Sequence, residues 1–513
     1  MCRRKTTRLW PVWTVAWITS HRTWRAKSWS PARPQVLTVK PTDERADAVV
    51  IGAGPAGLAA GIRLAQAGLS TVVQERHWLW GGLNSFYKLG GRTYDVGLHA
   101  LTNAAPKSAR KLPLPRVMRQ LRIPLEALEL GDQLGSCTVF PEVSLDFSND
   151  FEQLANEVRV KFPTSSEAFD ELARELAASP HDVRGGPVST RQELLRRLRD
   201  ELLVDLLLHP LLWYGSPTPN DMAWSLFVVL WKSIYEEGFA RPRGGVRPLL
   251  KLLTRRLKAA GGTLRLRSGV QEVLHGNGQT EGVVLDDGTV VRAPLVLSSA
   301  GLVETLGMLG DDGQQHARKK SVGPMTFVES CTHLKQSAPS LGFNKTITFW
   351  NNSPRGIYAP STPEPFDARS GVLCIPENYA GQDSEPEGIL RMTVLSQAAA
   401  WEGLEESHYA MQKEAAYQAS LAAVAQFAPD PSPHVVARDV FTPRTITHFT
   451  SKLGGAVYGV SAKVPHDAAK IAGLHIIGTD NGFLGIVGAL VGGAGVAALA
   501  AAGAQPQGQG AAP

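Results

Sequence analysis

The chain has 513 residues, 43% apolar and 19% charged, with a net charge of +6 and an isoelectric point near 9.1. These values predict a globular protein of two or three structural units and exclude an intrinsically disordered chain. Four cysteines without metal-ligand spacing predict neither a metal site nor a disulfide framework, and the scattered basic residues do not favour nucleic-acid binding.

The opening segment MCRRKTTRLWPVWTVAWITSHRTWRAKSWSPARP carries many tryptophans and arginines but no acidic residue. No small-residue cleavage site follows its apolar stretch, although a signal peptide needs one. We therefore expect residues 1–44 to be an unstructured extension, or to be translated from upstream of the true start. A signal peptide and a basic, tryptophan-rich membrane anchor are the alternatives.

A βαβ unit is predicted from the stretch DAVVIGAGPAGLAAGIRLAQAGLSTVVQER. Its apolar run at 48–51 is typical of a buried parallel strand, residues 55–67 follow a helical period, and STVVQE is a second strand. Gly52, Gly54 and Gly57 stand between the first strand and the helix in GxGxxG spacing. Glycines in this strand-to-helix context predict a dinucleotide site.

Each part of this fingerprint has a physical role. The first glycine permits a tight turn, the second lets a pyrophosphate approach the backbone, and the third lets the helix pack on the strand. Pro55 and Ala56 begin the helix, whose N-terminal N–H groups and dipole face the phosphates. Glu75 closes the second strand, where an acidic residue accepts hydrogen bonds from the adenosine ribose.

The predicted secondary structure changes twice in the middle of the chain. Residues 111–238 are predicted to be mainly helical, and the apolar helices at 201–234 form either a core or a mouth pressed into a bilayer. Residues 239–310 return to α/β texture, with Asp287-Gly288 as a hairpin turn. Residues 311–454 mix short strands with a long helix at about 398–427.

The C-terminal stretch GTDNGFLGIVGALVGGAGVAALAAAG has no charged residue after Asp480. Its length would span a bilayer. Its many glycines and alanines make it only weakly apolar, however, and no Lys or Arg follows to set a membrane topology. We predict instead a strand, a turn and a helix that covers a ligand inside the protein, with residues 505–513 as a disordered tail.

Further motifs carry a family resemblance: WGGLNSF, PRGGVRPLL, SGVQEVL, FTPRTITHFTSKLGGAVYG and the terminal GTD. Together with the fingerprint, they resemble the FAD-dependent amine oxidase and phytoene desaturase superfamily. YDVGLHALTN and GFLGIVGA are most similar to its branch of phytoene desaturases, carotenoid isomerases and retinol saturases. No second GxGxxG occurs in the sequence, so direct reduction by a pyridine nucleotide is disfavoured.

The resemblance implies an α/β fold with a discontinuous Rossmann-type FAD-binding domain, a mixed-sheet substrate domain and an inserted helical region. The expected domain ranges are 45–110, 239–310 and 455–504 for FAD binding, 111–238 for the helical region and 311–454 for the substrate domain. FAD is expected to be bound non-covalently. The expected cofactor-binding residues are Gly52, Gly54, Pro55, Ala56, Gly57, Glu75, Arg76, Gly81, Gly82, Val270, Gly478, Asp480, Gly485, Ile486 and Val487.

The resemblance also assigns roles to some of these residues. The Gly-Gly pair passes the pyrophosphate and the flavin, and the backbone of Val270 meets the adenine. Asp480 binds the ribityl chain, and the helix after it points its N-terminus at the flavin pyrimidine, where it stabilises the reduced flavin. Small residues in this helix would let it pack against the fingerprint helix.

Two departures from the family pattern bear on phosphate binding and on the reaction. Leu83 stands where many members carry an arginine, which removes one expected phosphate partner. Leu98-His99 replaces the Gly-Pro of bacterial phytoene desaturases and is more similar to the saturase and isomerase pattern. His99 is the candidate acid/base, although a lone histidine is more often a hydrogen-bonded structural residue. Weaker candidates are Tyr94, Tyr214 and Tyr458, while Trp213 and Phe483 are candidates for the wall of an apolar channel.

These observations predict an FAD-dependent oxidoreductase that transfers hydride between a polyisoprenoid or polyene lipid and flavin N5. Desaturation is favoured, with a quinone or oxygen as electron acceptor. A carotenoid-type isomerase, a saturase, an amine oxidase-like enzyme and a non-catalytic flavoprotein are the alternatives. No metal and no nucleic-acid partner are expected, and the protein is expected in the cytoplasm, with peripheral membrane association as an open alternative.

Overall fold

A computed structural model describes residues 43–104, 111–180, 188–310, 313, 315, 317, 322–361, 364–382 and 386–504. The expectations for residues 1–42 and 505–513 lie outside this described part. Its strands, in chain order, are β1 (Asp43–Arg45), β2 (Ala48–Ile51), β3 (Thr71–Glu75), β4 (Phe86–Leu89), β5 (Arg92–Asp95), β6 (Leu101–Thr102), β7 (Leu130–Asp132), β8 (Ser136–Val139), β9 (Ser144–Phe147), β10 (Phe239–Pro242), β11 (Thr263–Leu266), β12 (Val270–Gly276), β13 (Gln279–Leu285), β14 (Val290–Arg292), β15 (Leu295–Ser298), β16 (Thr326–Leu334), β17 (Ile347–Asn351), β18 (Phe366–Cys374), β19 (Gly388–Ser396), β20 (Val435–Phe441) and β21 (Leu474–Ile476).

The helices begin at clear local signals. Proline stands in the first turn of the helices that begin at Pro55, Pro113 and Pro443, while Asp150 and Asp200 each cap a helix by accepting a backbone N–H. The described helices are α1 (Pro55–Gln66), α2 (Pro113–Gln120), α3 (Phe151–Lys161), α4 (Ser166–Ala178), α5 (Thr190–Leu198), α6 (Glu201–Leu212), α7 (Trp224–Trp231), α8 (Val246–Ala259), α9 (Leu302–Gly307), α10 (Glu406–Val424), α11 (Pro443–Thr450) and α12 (Gly485–Ala504).

A five-stranded parallel sheet in the order β11-β3-β2-β15-β21 is the centre of the first half of the fold. The central strands β2 and β15 are buried along their whole length, as their apolar sequences AVVI and LVLS predict. The five strands come from three separate parts of the chain, each inside one of the segments 45–110, 239–310 and 455–504. A four-stranded sheet, β1-β14-β13-β12, contains the hairpin predicted at Asp287-Gly288.

A seven-stranded mixed sheet, β20-β16-β19-β18-β17-β8-β9, forms the other half. Its neighbours are antiparallel, except that β17 and β8 are parallel. Strands β8 and β9 come from the region 111–238, so this region is not helical throughout and supplies one edge of the seven-stranded sheet. Both strands have four residues, and only β9 alternates, with Leu145 and Phe147 buried, so the sequence signal for these strands is weak.

The apolar helices between 201 and 234 lie mainly inside the protein. Residues 203–212 of α6 are all buried, in one hydrophobic cluster with α3, α4, α5 and α7. Nearby arginines meet carboxylates of the protein itself: Arg191 pairs with Asp205, and Arg197 pairs with Glu175. These contacts favour the core interpretation of the helices over a mouth pressed into a bilayer.

His209 on α6 makes the stability of the protein sensitive to acid. Its side chain is 1% exposed, and its Nε2 lies 2.9 Å from the carbonyl of Trp350, which fixes the proton on Nε2. Burial lowers the pKa of His209 from 6.5 to about 4. The unfolded chain therefore takes up a proton before the folded one, so the stabilisation is complete above pH 6.5 and is lost as the pH falls through 4.

We expect this histidine to cost the wild type about 2 kcal/mol of unfolding free energy between about pH 7 and about pH 5. The His209→Gln variant keeps an N–H donor for the Trp350 carbonyl but does not titrate. Urea unfolding at the two pH values should therefore show a smaller pH difference for the variant. An equal difference in both proteins would contradict the assignment.

Candidate cofactor and active site

The fingerprint loop lies at the carboxyl edge of the parallel sheet, where ligands bind in folds of this class. It follows β2, and the loops after β15 and β21 lie beside it in the strand order. The Gly-Gly pair adjoins it, because a methyl group placed on Gly82 would lie 3.6 Å from Gly54 Cα. One placed on Gly478 would lie 3.6 Å from Ala56 Cβ. Motifs from distant parts of the sequence therefore meet at one edge.

The three glycines of the fingerprint have different constraints. Gly52 has a φ of +92°, and a methyl group on Gly57 would lie 1.9 Å from the Gly52 carbonyl oxygen, so the fold itself requires both. Gly54 has an ordinary φ of −71°. A methyl group there would meet only the Gly81 carbonyl oxygen, at 3.9 Å. The fold does not require Gly54 to be a glycine, whereas a ligand in front of it would.

The start of α1 offers backbone donors to such a ligand. Gly54 is the N-cap and supplies no side chain to the first N–H groups, and Pro55 stands in the first turn. Uncapped N–H groups and the helix dipole favour a phosphate at this end. The open face of Gly54 and these donors therefore fit the pyrophosphate of FAD.

Glu75 and Arg76 both lie beside the fingerprint. The Glu75 carboxylate accepts the N–H of Ala53 at 2.7 Å and the N–H of His77 at 2.9 Å. Arg76 donates to the carbonyl of Val270 at 2.7 Å and pairs with Asp286. The structure thus brings together the residues predicted for the adenosine end of the cofactor, and it adds a bracing role for Glu75.

Asp480 is fully buried and fixes three segments to one another. Its carboxylate accepts the backbone N–H of Val460 at 2.8 Å and the N–H of Leu302, which begins α9. The sequence predicted contact with the ribityl chain of the cofactor. That contact stays a prediction. The structure shows that both carboxylate oxygens also accept backbone N–H groups, a role that sequence reasoning missed because these partners are remote in the chain.

The helix α12 covers the fingerprint helix. It begins at Gly485, whose φ is +67°, and the next residues, Ile486 and Val487, are buried. A methyl group on Gly493 would lie only 2.1 Å from the Ala56 carbonyl oxygen, so α12 and α1 are in backbone contact. Only a residue without a side chain permits this approach.

This helix is also long and apolar enough to cross a membrane, judged by length and composition alone. It is the one helix in the described ranges that passes that test, and 61% of its apolar window is buried inside the protein. Its backbone contact with α1 is the packing of a core helix. The structure favours the predicted covering role.

His99 lies in the loop between β5 and β6, where the two halves of the fold meet. Its Nε2 lies 3.6 Å from a carboxylate oxygen of Glu329 on β16 and 3.3 Å from Oγ1 of Thr393 on β19. Gly97, just before it, packs against the Leu83 carbonyl next to the Gly-Gly pair. The candidate acid/base therefore lies between the loop that carries the Gly-Gly pair and the seven-stranded sheet.

Two buried arginines fix the backbone of this loop. Arg241 on β10 donates to the carbonyl of Leu98 at 2.7 Å and to that of His99 at 3.2 Å, and it pairs with Asp95 at 3.0 Å. Arg391 on β19 also donates to the Leu98 carbonyl and forms an ion pair with Glu329. Two guanidinium groups on one carbonyl leave the His99 loop little freedom.

The same charges set the protonation of the cluster. Burial, together with the Arg391 guanidinium, lowers the pKa of His99 and outweighs the opposing effect of Glu329. Burial alone would raise the pKa of Glu329, but Arg391 and His99 outweigh it and hold that pKa at about 2. At neutral pH the cluster therefore contains a neutral imidazole beside an ionised carboxylate.

Three partly exposed aromatic side chains pack against the helical core and form an apolar wall: Tyr214, Phe327 and Tyr458. Phe327 lies on the same face of β16 as Glu329, two residues away. The rings of Phe327 and Tyr458 are 6.3 Å apart and edge to face. A methyl group on Gly215 would touch both the Tyr458 ring and Leu484, the residue before α12. The apolar wall thus extends to the start of the covering helix.

The other candidates from the sequence lie at the following places in the structure. Tyr94 is buried and stacks on Tyr87 at 5.1 Å, while Trp213 is buried in the helical core. Phe483 lies over Gly492 of α12. Sequence reasoning missed Glu329 and Arg391, although a charged residue within an apolar strand pattern, as in TFVESCTHL and GILRMTVLS, was a usable signal.

Metal and disulfide chemistry were not expected. Cys137, Cys331 and Cys374 are buried free thiols. Among the residues that the structure describes, no cluster of three or more histidine, cysteine or acidic side chains is placed to hold a metal.

Comparison with known proteins gives a family match for the fingerprint region and relatives that span more of the chain. Residues 50–112 match the model of the NAD(P)-binding Rossmann-like domain. All-trans-retinol 13,14-reductase of Danio rerio is 24% identical, over 88% of this chain and 85% of its own length. Lycopene-forming phytoene desaturase of Pseudescherichia vulneris is 27% identical, over 55% of this chain and 62% of its own length. Chloroplastic prolycopene isomerase of Daucus carota is 21% identical, over 84% of this chain and 76% of its own length.

Solved structures share the fold across nearly the whole described chain. An oxidoreductase from Methanosarcina mazei superposes with a TM-score of 0.64 at 17% identity, covering 88% of this chain and 99% of its own. A putrescine oxidase variant superposes with a TM-score of 0.60 at 17% identity, covering 90% of this chain and 100% of its own. At this identity the likeness concerns the fold.

The fold and these comparisons indicate an FAD-dependent oxidoreductase with a Rossmann-type domain, which confirms the predicted fold class, cofactor and enzyme class. More particularly, the chain is similar in sequence to phytoene desaturases, a prolycopene isomerase and retinol reductases. The resemblance predicted from the motifs is therefore confirmed.

Replacement of Glu75 should weaken FAD binding. The Glu75→Ala variant loses a ribose acceptor and also leaves the Ala53 N–H without its partner. Hydrogen bonds to charged groups contribute about 1.5–3 kcal/mol, so we expect binding to weaken by about 10- to 100-fold. Equilibrium titration of the apoprotein with FAD measures this. Glu75→Gln, which keeps one acceptor oxygen, should lose less, and equal affinity in all three proteins would contradict the role.

Proposed function

We propose that the protein desaturates a lipophilic polyisoprenoid or polyene substrate in an FAD-dependent reaction. The observation that carries this proposal is the apolar wall of Tyr214, Phe327 and Tyr458. Phe327 shares one face of β16 with Glu329, and Tyr458 lies beside Leu484 at the start of α12. An apolar wall of this kind stabilises a hydrocarbon chain through burial of its surface. The substrates named for the relatives, retinol, phytoene and prolycopene, are also lipophilic polyenes.

Desaturation removes a hydride from one carbon and a proton from its neighbour, and the two electrons left form the new double bond. Bound FAD supplies the hydride acceptor at flavin N5. His99 is the proposed proton acceptor, because its lowered pKa keeps the imidazole neutral at pH 7. The aromatic wall orients the chain, and the covering helix excludes water from the site.

The electrons must then leave the reduced cofactor. We propose a quinone or oxygen as the acceptor, because the sequence has no second nucleotide motif to receive a pyridine nucleotide. A cytoplasmic location, with peripheral contact to the membrane that dissolves the substrate, is part of the same proposal.

Isomerisation and saturation are the alternative reactions, supported by Leu98-His99 and by the relatives that carry those names. An isomerase keeps its flavin reduced and has no net electron flow, whereas a saturase needs a reductant. Amine oxidation is the further alternative, supported by the fold likeness to putrescine oxidase. In that reaction the hydride leaves a carbon next to nitrogen.

Product mass distinguishes these reactions. The holoenzyme is incubated with a panel of polyenes in lipid vesicles, with a quinone present. A product lighter by two hydrogens supports desaturation. Unchanged mass with altered double-bond geometry, dependent on prior flavin reduction, would overturn it in favour of isomerisation. Anaerobic bleaching of the flavin by a polyamine, and not by any polyene, would favour amine oxidation.

A further inference from the structure

A glutamate and an arginine on the seven-stranded sheet form a row with His99, which approaches them from the loop between β5 and β6. Glu329 on β16 lies 3.6 Å from His99 Nε2, and Arg391 on β19 donates to Glu329 from Nε at 2.9 Å and from a second nitrogen. The Arg391 side chain is 1% exposed and the Glu329 side chain 12%. Burying an ion pair costs desolvation energy, so the contact of this pair with the candidate base suggests a functional role for it.

The surroundings of His99 contain other titratable and charged groups, which lie on different elements. Arg241 on β10 and Arg391 on β19 are the cations. Tyr379 donates its hydroxyl to the His99 carbonyl at 3.1 Å, and the thiol of Cys374 on β18 lies 3.7 Å from the same oxygen. The pKa values of both groups are raised by burial, so they are neutral at pH 7. Glu329 is thus the anion that faces the imidazole.

We propose that Glu329 is a positioning residue that holds the proton of neutral His99 on Nε2 and stabilises the imidazolium formed when His99 accepts a proton. Arg391 keeps Glu329 ionised and fixes its carboxylate. This inference rests on the proposed proton transfer to His99. It adds a residue that controls the strength of the base without touching the substrate.

The geometry gives each residue of the row a separate task. Nε2 faces both the Glu329 carboxylate and the Thr393 hydroxyl, so the ring orientation is fixed from two strands. Two cations near an imidazole would by themselves oppose its protonation. Glu329 offsets them locally and makes protonation of His99 accessible. The Glu329 carboxylate therefore offsets the positive charge of the nearby arginines and lets His99 act as a base.

The same sheet offers a matched control. His333 on β16 lies 3.4 Å from Glu387, which also pairs with Arg92 at 2.6 Å. This second histidine, glutamate and arginine row has the same chemistry but does not contact His99. Glu387→Gln therefore changes the charge of a neighbouring row while leaving the Glu329 contact in place.

The first test measures His99 directly in ¹⁵N-histidine-labelled holoenzyme, with the His99→Gln variant used to assign its signal. The wild type should show the proton of neutral His99 on Nε2. In Glu329→Gln the pKa of His99 should fall by about one unit or more, and in Glu329→Ala the two neutral forms should mix. Glu329→Asp should restore part of the wild-type value. An unchanged proton position in Glu329→Ala, or the same changes in Glu387→Gln, would overturn the inference.

The second test uses a polyene that the wild-type enzyme converts. It measures how the rate of anaerobic flavin reduction by this polyene depends on pH. Glu329→Gln should reduce flavin about tenfold more slowly at neutral pH, with the ascending limb of the profile moved to lower pH. Glu387→Gln should retain the wild-type profile, and a displaced profile in Glu387→Gln alone would overturn the inference. Wild-type rates in His99→Gln would refute the proposed proton transfer, whereas the ¹⁵N spectra still decide whether Glu329 controls His99.

Discussion

The Gly54→Val protein is expected to fold and to purify without flavin. The backbone at Gly54 has a φ of −71°, and a Cβ atom there meets only the Gly81 carbonyl oxygen, at 3.9 Å. The new side chain would occupy the space in front of the α1 N-terminus, where the pyrophosphate must approach the backbone. We expect FAD affinity to fall at least 100-fold, which corresponds to about 2.8 kcal/mol.

Absorbance of the purified protein and circular dichroism together check this result. Gly57→Ala is the contrasting variant, because its methyl group would lie 1.9 Å from the Gly52 carbonyl oxygen and should disrupt the fold itself. Gly307→Ala is the neutral control, since nothing lies within 4 Å of its added methyl group. A Gly54→Val protein as yellow as the wild type would refute the cofactor site.

The parts of the site that the sequence could predict are local. The fingerprint from Gly52 to Gly57 works through adjacent residues, so strand, turn and helix can be read from one short stretch. The helix predicted at 55–67 is observed at Pro55–Gln66. The predicted bounds of the long helix were less accurate, because the range 398–427 includes a 3-10 turn at Ala398–Trp401 before α10.

The parts that the sequence could not predict depend on contacts between remote segments. The motif assigns Asp480 to the cofactor, but it could not predict that the carboxylate also accepts the backbone N–H groups of Val460 and Leu302. Glu329 and Arg391 become a pair only because β16 and β19 are neighbours. Pairing of this kind depends on sheet order, which is a property of the whole fold.

The C-terminal helix provides the last and sharpest contrast, because two of its glycines differ only in what faces them. A methyl group on Gly493 would lie 2.1 Å from the Ala56 carbonyl oxygen, whereas nothing lies within 4 Å of one on Gly495. If α12 covers the fingerprint helix, Gly493 is required by close packing and Gly495 is not. If the helix crossed a membrane, this difference would disappear.

We therefore expect Gly493→Ala to lower the free energy of unfolding by about 3 kcal/mol or more, because the added methyl group forces α12 away from α1. FAD should be released more readily from that variant, since the displaced helix no longer packs against the start of α1. Gly495→Ala should raise stability by up to about 1 kcal/mol, because alanine favours a helix more than glycine does. Urea unfolding of the two holoproteins, with flavin fluorescence to follow release, measures both effects. Equal stability of the two variants would show that α12 does not pack against the fingerprint helix, and the membrane interpretation would then replace the covering one.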